Sequence, residues 1–94
     1  LSPTLAVPAF DIGEAPGIID GKEVPHKLWG FTPFTYLFNL TGNPAASVPA
    51  GFSKTSLPIG LQIIGDMKDE VNVLAASAAF EEARPWIDSR PPVS

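Results

Sequence analysis

A chain of 94 residues suffices for one small domain, and 45% hydrophobic against 17% charged residues excludes a disordered tail. The net charge of −4, with no cluster of Lys or Arg to neutralise phosphates, sets nucleic acid aside as a partner. Without cysteine there can be no disulfide framework, thiolate nucleophile or zinc ribbon, and no apolar run reaches the roughly 18–20 residues that span a bilayer.

Eleven prolines and eight glycines predict many turns and short elements. Residues 1–10 lack a basic region followed by a long apolar core, so they are no signal peptide. They read as the end of a strand leaving through Pro3 and Pro8, since proline cannot donate to a central ladder. Starting on Leu1 in mid-phrase, the chain reads as a cut piece of a longer one. Ile18-Ile19-Asp20-Gly21-Lys22-Glu23-Val24 carries an Asp-Gly pair whose tolerance of positive φ predicts a short, exposed two-residue hairpin.

An aromatic stretch follows Pro25, from residue 29 to residue 38. Thr32-Pro33 predicts a short helix over residues 34–40, with Thr32 as cap and proline at the first position, stopped by Gly42 and Pro44. Two apolar runs, residues 45–52 and 57–64, flank the polar link Ser53-Lys54-Thr55-Ser56 and predict an antiparallel hairpin. Pro49 and Pro58 confine parts of it to edges or bends. Ile59, Leu61 and Ile63 alternate with Gly60, Gln62 and Ile64 only weakly, as expected if both faces are covered. Asp66 or Asp69 then caps a helix running to about Arg84, ended by Pro85 and the pair Pro91-Pro92. Its apolar stripe is Val73, Leu74, Ser77, Ala78, Phe80 and Ala83, and it predicts a helix lying on a sheet.

Little catalytic chemistry is available. None of the seven serines sits in Gly-x-Ser-x-Gly, and His26, the single histidine, has no motif that would make it a base. One histidine and scattered carboxylates offer no metal-ligand spacing, and Asp66, Asp69 and Glu70 are explained by capping and the helix dipole. No glycine-rich phosphate loop is present. Asn39-Leu40-Thr41 matches the glycosylation pattern but falls inside the expected helix. The cluster Trp29, Phe31, Phe34, Tyr36 and Phe38 is free to fill a core or to line an apolar pocket. Residue types alone therefore give a small α/β unit with no catalytic set, no metal and no cofactor.

Two ordered blocks extend this reading. Trp29-Gly30-Phe31-Thr32-Pro33-Phe34 runs on through Asn39-Leu40-Thr41-Gly42-Asn43-Pro44 to Ser47-Val48-Pro49-Ala50-Gly51-Phe52. Leu57-Pro58-Ile59-Gly60-Leu61-Gln62-Ile63-Ile64-Gly65 follows, then the closing helix. Together they resemble the C-terminal portion of amidase-signature enzymes, as do Ser2-Pro3-Thr4 and Asp20-Gly21, and the match spans nearly the whole chain. The resemblance implies a fragment of an α/β/α sandwich with a mixed sheet, seen here as a short β-hairpin plus a C-terminal helix and loops. It implies hydrolysis of amides, and of some esters, by a serine nucleophile, a bridging serine in a cis peptide and a lysine. Those groups belong upstream of the region matched, so the resemblance assigns no catalytic residue here and makes residues 1–94 an inert C-terminal segment.

By the same resemblance Phe31, Thr32 and Phe34 border the acyl pocket, with the Ser2-Pro3-Thr4 turn a further candidate, while ordinary packing against absent strands stays open for all of them. The amidase components of tRNA-dependent amidotransferases are acidic near Thr32, where they hold a substrate amine, so Thr32-Pro33 favours a free-standing amidase with an uncharged acyl site. Ser56 stands where the family commonly has glycine, which puts the local turn geometry in question. The partners implied are the rest of the parent chain and a small amide, in the cytoplasm, with no nucleic acid or membrane. Stripped of those neighbours the chain is expected to self-associate through exposed apolar edges. The competing readings are a self-contained binding module and a component of a tRNA-dependent amidotransferase.

Overall fold

The computed structural model describes residues 1–24, 26 and 29–91. The residues flanking His26 in sequence, and Pro92 of the Pro91-Pro92 pair, lie outside them. In chain order the elements are β1 (Ser2–Pro3), β2 (Ile18–Ile19), β3 (Lys22–Glu23), α1 (Tyr36–Thr41), β4 (Ala45–Phe52), β5 (Pro58–Ile64) and α2 (Glu70–Ala83). The result is a small α/β unit.

The main sheet has the order β1-β5-β4 and both of its pairings are antiparallel. Its β4–β5 hairpin is the one expected from the two apolar runs. Pro49 has no amide hydrogen for the ladder, and the register shifts between Pro49 and Gly51, where Ala50 bulges out. β1 is the expected strand end, but its partner has no sequence signal. It adds to the other edge of β5 through only two residue pairs, Ser2 with Gln62 and Pro3 with Leu61, too few to leave a periodic pattern. β2 and β3 form the expected separate hairpin, with Asp20 and Gly21 at φ of 52° and 74°.

α2 begins where the cap signal placed it. The Asp69 carboxylate accepts from the backbone N–H of Asn72 at 3.3 Å and from its side-chain amide at 2.6 Å. Val73 and Phe80 face the sheet, and Val73 closes a core with Val48 and Ile63, flanked by Ala46, Leu61 and Trp86. Leu74, Ala78 and Ala83, expected on the same stripe, are exposed. Leu74 lies about 100° around the helix from Val73, and the sheet is too narrow to reach it.

α1 starts two residues later than its sequence signal. Thr32 does not cap it: the Thr32 hydroxyl donates back to the Trp29 carbonyl at 3.0 Å, and Thr35 stands at the cap position. The Phe34 carbonyl, which a helix from residue 34 would give to Phe38, instead accepts from the Gln62 side chain at 2.7 Å. Phe38 N–H bonds the Thr35 carbonyl at 3.2 Å in its place. Gly42, left-handed at φ 79°, ends the helix as expected.

Only Val48, Ile63 and Val73 are buried apolar residues among those described. The accessible surface is 7301 Å², whereas a folded monomer of 9.9 kDa exposes about 5200 Å². The radius of gyration, 14.9 Å, likewise exceeds the roughly 12.4 Å of a compact chain of this length. The architecture is a thin slab with more surface than its own core can cover.

Candidate functional site

The two faces of the main sheet carry different chemistry. Ala46 and Val48 of β4 and Leu61 and Ile63 of β5 pair across the ladder and meet α2. The alternate positions form the opposite face, where Ser2, Gln62 and Ser47 lie in one row across the three strands. The next row on that face holds Pro49, Gly60 and Thr4, whose N–H bonds the Gly60 carbonyl at 3.1 Å.

Gly60 is what lets this face close on itself. The Thr4 and Ser47 hydroxyls share a hydrogen bond of 2.7 Å above it. A Cβ at residue 60 would stand 2.7 Å from Ser47 Oγ and 2.8 Å from Thr4 Oγ1, inside any allowed contact. Beside this pair lies Gln62, the buried polar side chain of the sheet at 5% exposure. Its Nε2 donates to Ser2 Oγ at 3.0 Å and to the Phe34 carbonyl at 2.7 Å, so both amide hydrogens are used.

Two hollows open on either side of the Thr4–Ser47 pair, which lines both. One, of about 390 Å³, is otherwise apolar, walled by Leu5, Val7, Pro8, Pro58 and Ile59. The other, of about 310 Å³, is mixed, walled by Thr35, Asn39, Asn43 and Gln62 together with Phe38, Ala45 and Ala46. No charged side chain lines either hollow among the described residues, although the chain has 6 Lys and Arg and 10 Asp and Glu. Both hollows are shallow and open to solvent, and their walls are uncharged.

The sequence candidates sit around this face. Phe31 stacks edge-on against Phe10, with ring centroids 5.0 Å apart, and its carbonyl accepts from Ala6 N–H at 3.1 Å. The Thr32 carbonyl accepts from both the N–H and the hydroxyl of Thr35. Phe34 is tied through Gln62 to Ser2, so the structure joins the 31–34 segment to Ser2-Pro3-Thr4, which forms strand β1 and its continuation rather than a turn. The side chains of Phe31, Thr32 and Phe34 are not among the described residues that line the two hollows.

Sequence reasoning misses Ser47, Gln62, Asn39 and Asn43 as site residues. A signal exists for Gln62, since a glutamine and a glycine at alternate positions of an apolar strand mark a face that something polar must meet. His26 is exposed, and its carbonyl accepts from the N–H groups of Trp29 and Gly30. Among the described residues no three His, Asp or Glu side chains converge as a metal site, and no helix is long and apolar enough to cross a membrane.

The family model for amidases matches residues 1–74. An acylamidase of Rhodococcus erythropolis is 40% identical over 92 residues, covering 97% of this chain and 19% of its own length. A glutamyl-tRNA(Gln) amidotransferase subunit of Thermodesulfovibrio yellowstonii is 43% identical over 91 residues, covering 97% of this chain and 18% of its own. The chain thus spans about a fifth of the length of the curated relatives it matches. No solved structure matches it.

Proposed function

This chain belongs to the amidase family, and on that premise we propose that it is the C-terminal segment of an amidase acting on uncharged carboxylic amides. The family match across residues 1–74 carries the reading. The other four-fifths of such an enzyme's length supplies the chemistry. There a serine, activated through a bridging serine and a lysine, attacks the amide carbonyl. The amine leaves with a proton, and water then cleaves the acyl-enzyme ester to the carboxylic acid. This segment contributes the wall of the acyl site: Phe31, Thr32 and Phe34, held against the polar face of the sheet.

The excess surface of this slab supports a place inside a larger α/β/α sandwich with a mixed sheet. Surface of about 2100 Å² beyond that of a compact monomer is what an obligate interface buries. Thr32 in place of an acid supports a neutral acyl group. A component of a tRNA-dependent amidotransferase is the second reading, favoured by the 43% identity to the Thermodesulfovibrio yellowstonii protein. The absence of cysteine is compatible with a cytoplasmic enzyme.

Assaying the full-length protein on neutral amides and on glutamine tests both readings. Hydrolysis of the neutral series without partner proteins supports the free-standing amidase. Activity on glutamine alone, dependent on added partner proteins and charged tRNA, would transfer the chain to the second reading. The isolated 94-residue chain is expected to be inactive and to associate during sedimentation; a cooperative, concentration-independent melt of a monomer would contradict that.

A further inference from the structure

We infer that Gln62 is a positioning residue for the acyl side of the site, because its amide clamps the Phe34 carbonyl to the sheet and sets where α1 begins. The inference rests on the reading above that the 31–34 segment borders the acyl group. Three observations carry it. Gln62 is 5% exposed and stands in the middle of the polar row, between Ser2 and Ser47. Its Nε2 meets Ser2 Oγ and the Phe34 carbonyl at 3.0 and 2.7 Å, one acceptor for each hydrogen. And the Phe34 carbonyl so occupied is the one that a helix starting at residue 34 would need.

The chemistry explains why glutamine stands here. Asparagine is about 1.5 Å shorter and cannot reach both acceptors. Glutamate would set a carboxylate oxygen against the Phe34 carbonyl, two acceptors with no hydrogen between them. Methionine fills the same space and donates nothing. With the tie gone, the Phe34 carbonyl is free to accept from Phe38, α1 can extend toward its sequence signal, and the ring of Phe34 turns with its backbone. The effect reaches the substrate through Phe34; Gln62 itself need not touch it.

The test compares Gln62→Met and Ser77→Ala with the parent sequence in the full-length enzyme, using amides from acetamide to hexanamide and hydrogen exchange. Gln62→Met is expected to raise KM for hexanamide by roughly tenfold to a hundredfold, the cost of misplacing a binding wall by about 1 Å. KM for acetamide and the labelling of the nucleophile by a small sulfonyl fluoride should hold, so selectivity along the series flattens. Exchange at residues 34–38 should change while that of β4 and α2 stays the same. Ser77→Ala removes a hydroxyl that donates to the Val73 carbonyl on α2, away from the polar face, and should keep the selectivity. A uniform fall in kcat with slower labelling, or equal damage from Ser77→Ala, would reduce Gln62 to a packing residue. If the parent enzyme cleaves no amide, the amidase reading fails, and unchanged exchange at 34–38 still overturns the clamp on its own. Should Gln62→Met not fold, Gln62→Asn poses the same comparison with the amide withdrawn.

Discussion

The two faces of one three-stranded sheet are built on opposite rules. Toward α2 the sheet presents Ala46, Val48, Leu61 and Ile63, and holds its neighbour by area removed from water. Away from α2 it presents Ser2, Thr4, Ser47 and Gln62, and holds its neighbours by hydrogen bonds of 2.7 to 3.1 Å. An apolar face tolerates small shifts, because dispersion has no direction. A row of hydroxyls and an amide does not, since a donor displaced by an ångström loses its acceptor. The face that packs and the face that positions are thus separated by the strand period of two.

That contrast can be broken most severely from the apolar side. Val73→Asp places an unpaired carboxylate at the centre of the small core. It should cost more than about 4 kcal/mol, enough to remove folded full-length enzyme from the soluble fraction on expression. The polar side should fail more gently. Gly60→Ala drives a methyl into both hydroxyls of the Thr4–Ser47 pair, at a cost of roughly 1–3 kcal/mol read from the denaturant midpoint. Adding Ser47→Gly should recover part of that loss, because it removes the nearer atom; no recovery would place the strain elsewhere.

The smallest expected effect lies outside both faces and serves as their control. Ser56 sits at φ 64° in the β4–β5 link, a left-handed position that disfavours a side chain. Ser56→Gly should therefore stabilise by roughly 0.5 kcal/mol in thermal melts while leaving substrate selectivity unchanged. This also answers the question raised by the sequence, where serine replaces the glycine common at that place. Ser56 takes up a left-handed φ that glycine adopts without steric cost.

Local signals are legible because each rests on a few adjacent residues. Asp20-Gly21 marks a hairpin turn, Asp69 a helix cap, Gly42 a helix stop, and two apolar runs the β4–β5 pair. The start of α1 is not legible, although Thr32-Pro33 is a sound local signal. The competing donor for the Phe34 carbonyl comes from Gln62, 28 residues further along the chain. Leu74 and Ala78 show the same limit from the other direction: helical spacing marks them as apolar, but which of them finds a partner depends on the width of the sheet.

By itself the sequence determined the secondary elements apart from the start of α1, the antiparallel hairpin, the family, and a chemistry without cysteine, metal spacing or a catalytic motif. Propensity, turn geometry and ordered motifs act over short distances, so they survive in a linear reading. Only the tertiary structure decided that β1 completes the sheet, that Thr4 and Ser47 meet over Gly60, and that Gln62 joins Ser2 to Phe34. Those contacts cross 43, 60 and 28 residues of chain. Each depends on a single side chain arriving at hydrogen-bonding distance, and no periodicity records such an arrival.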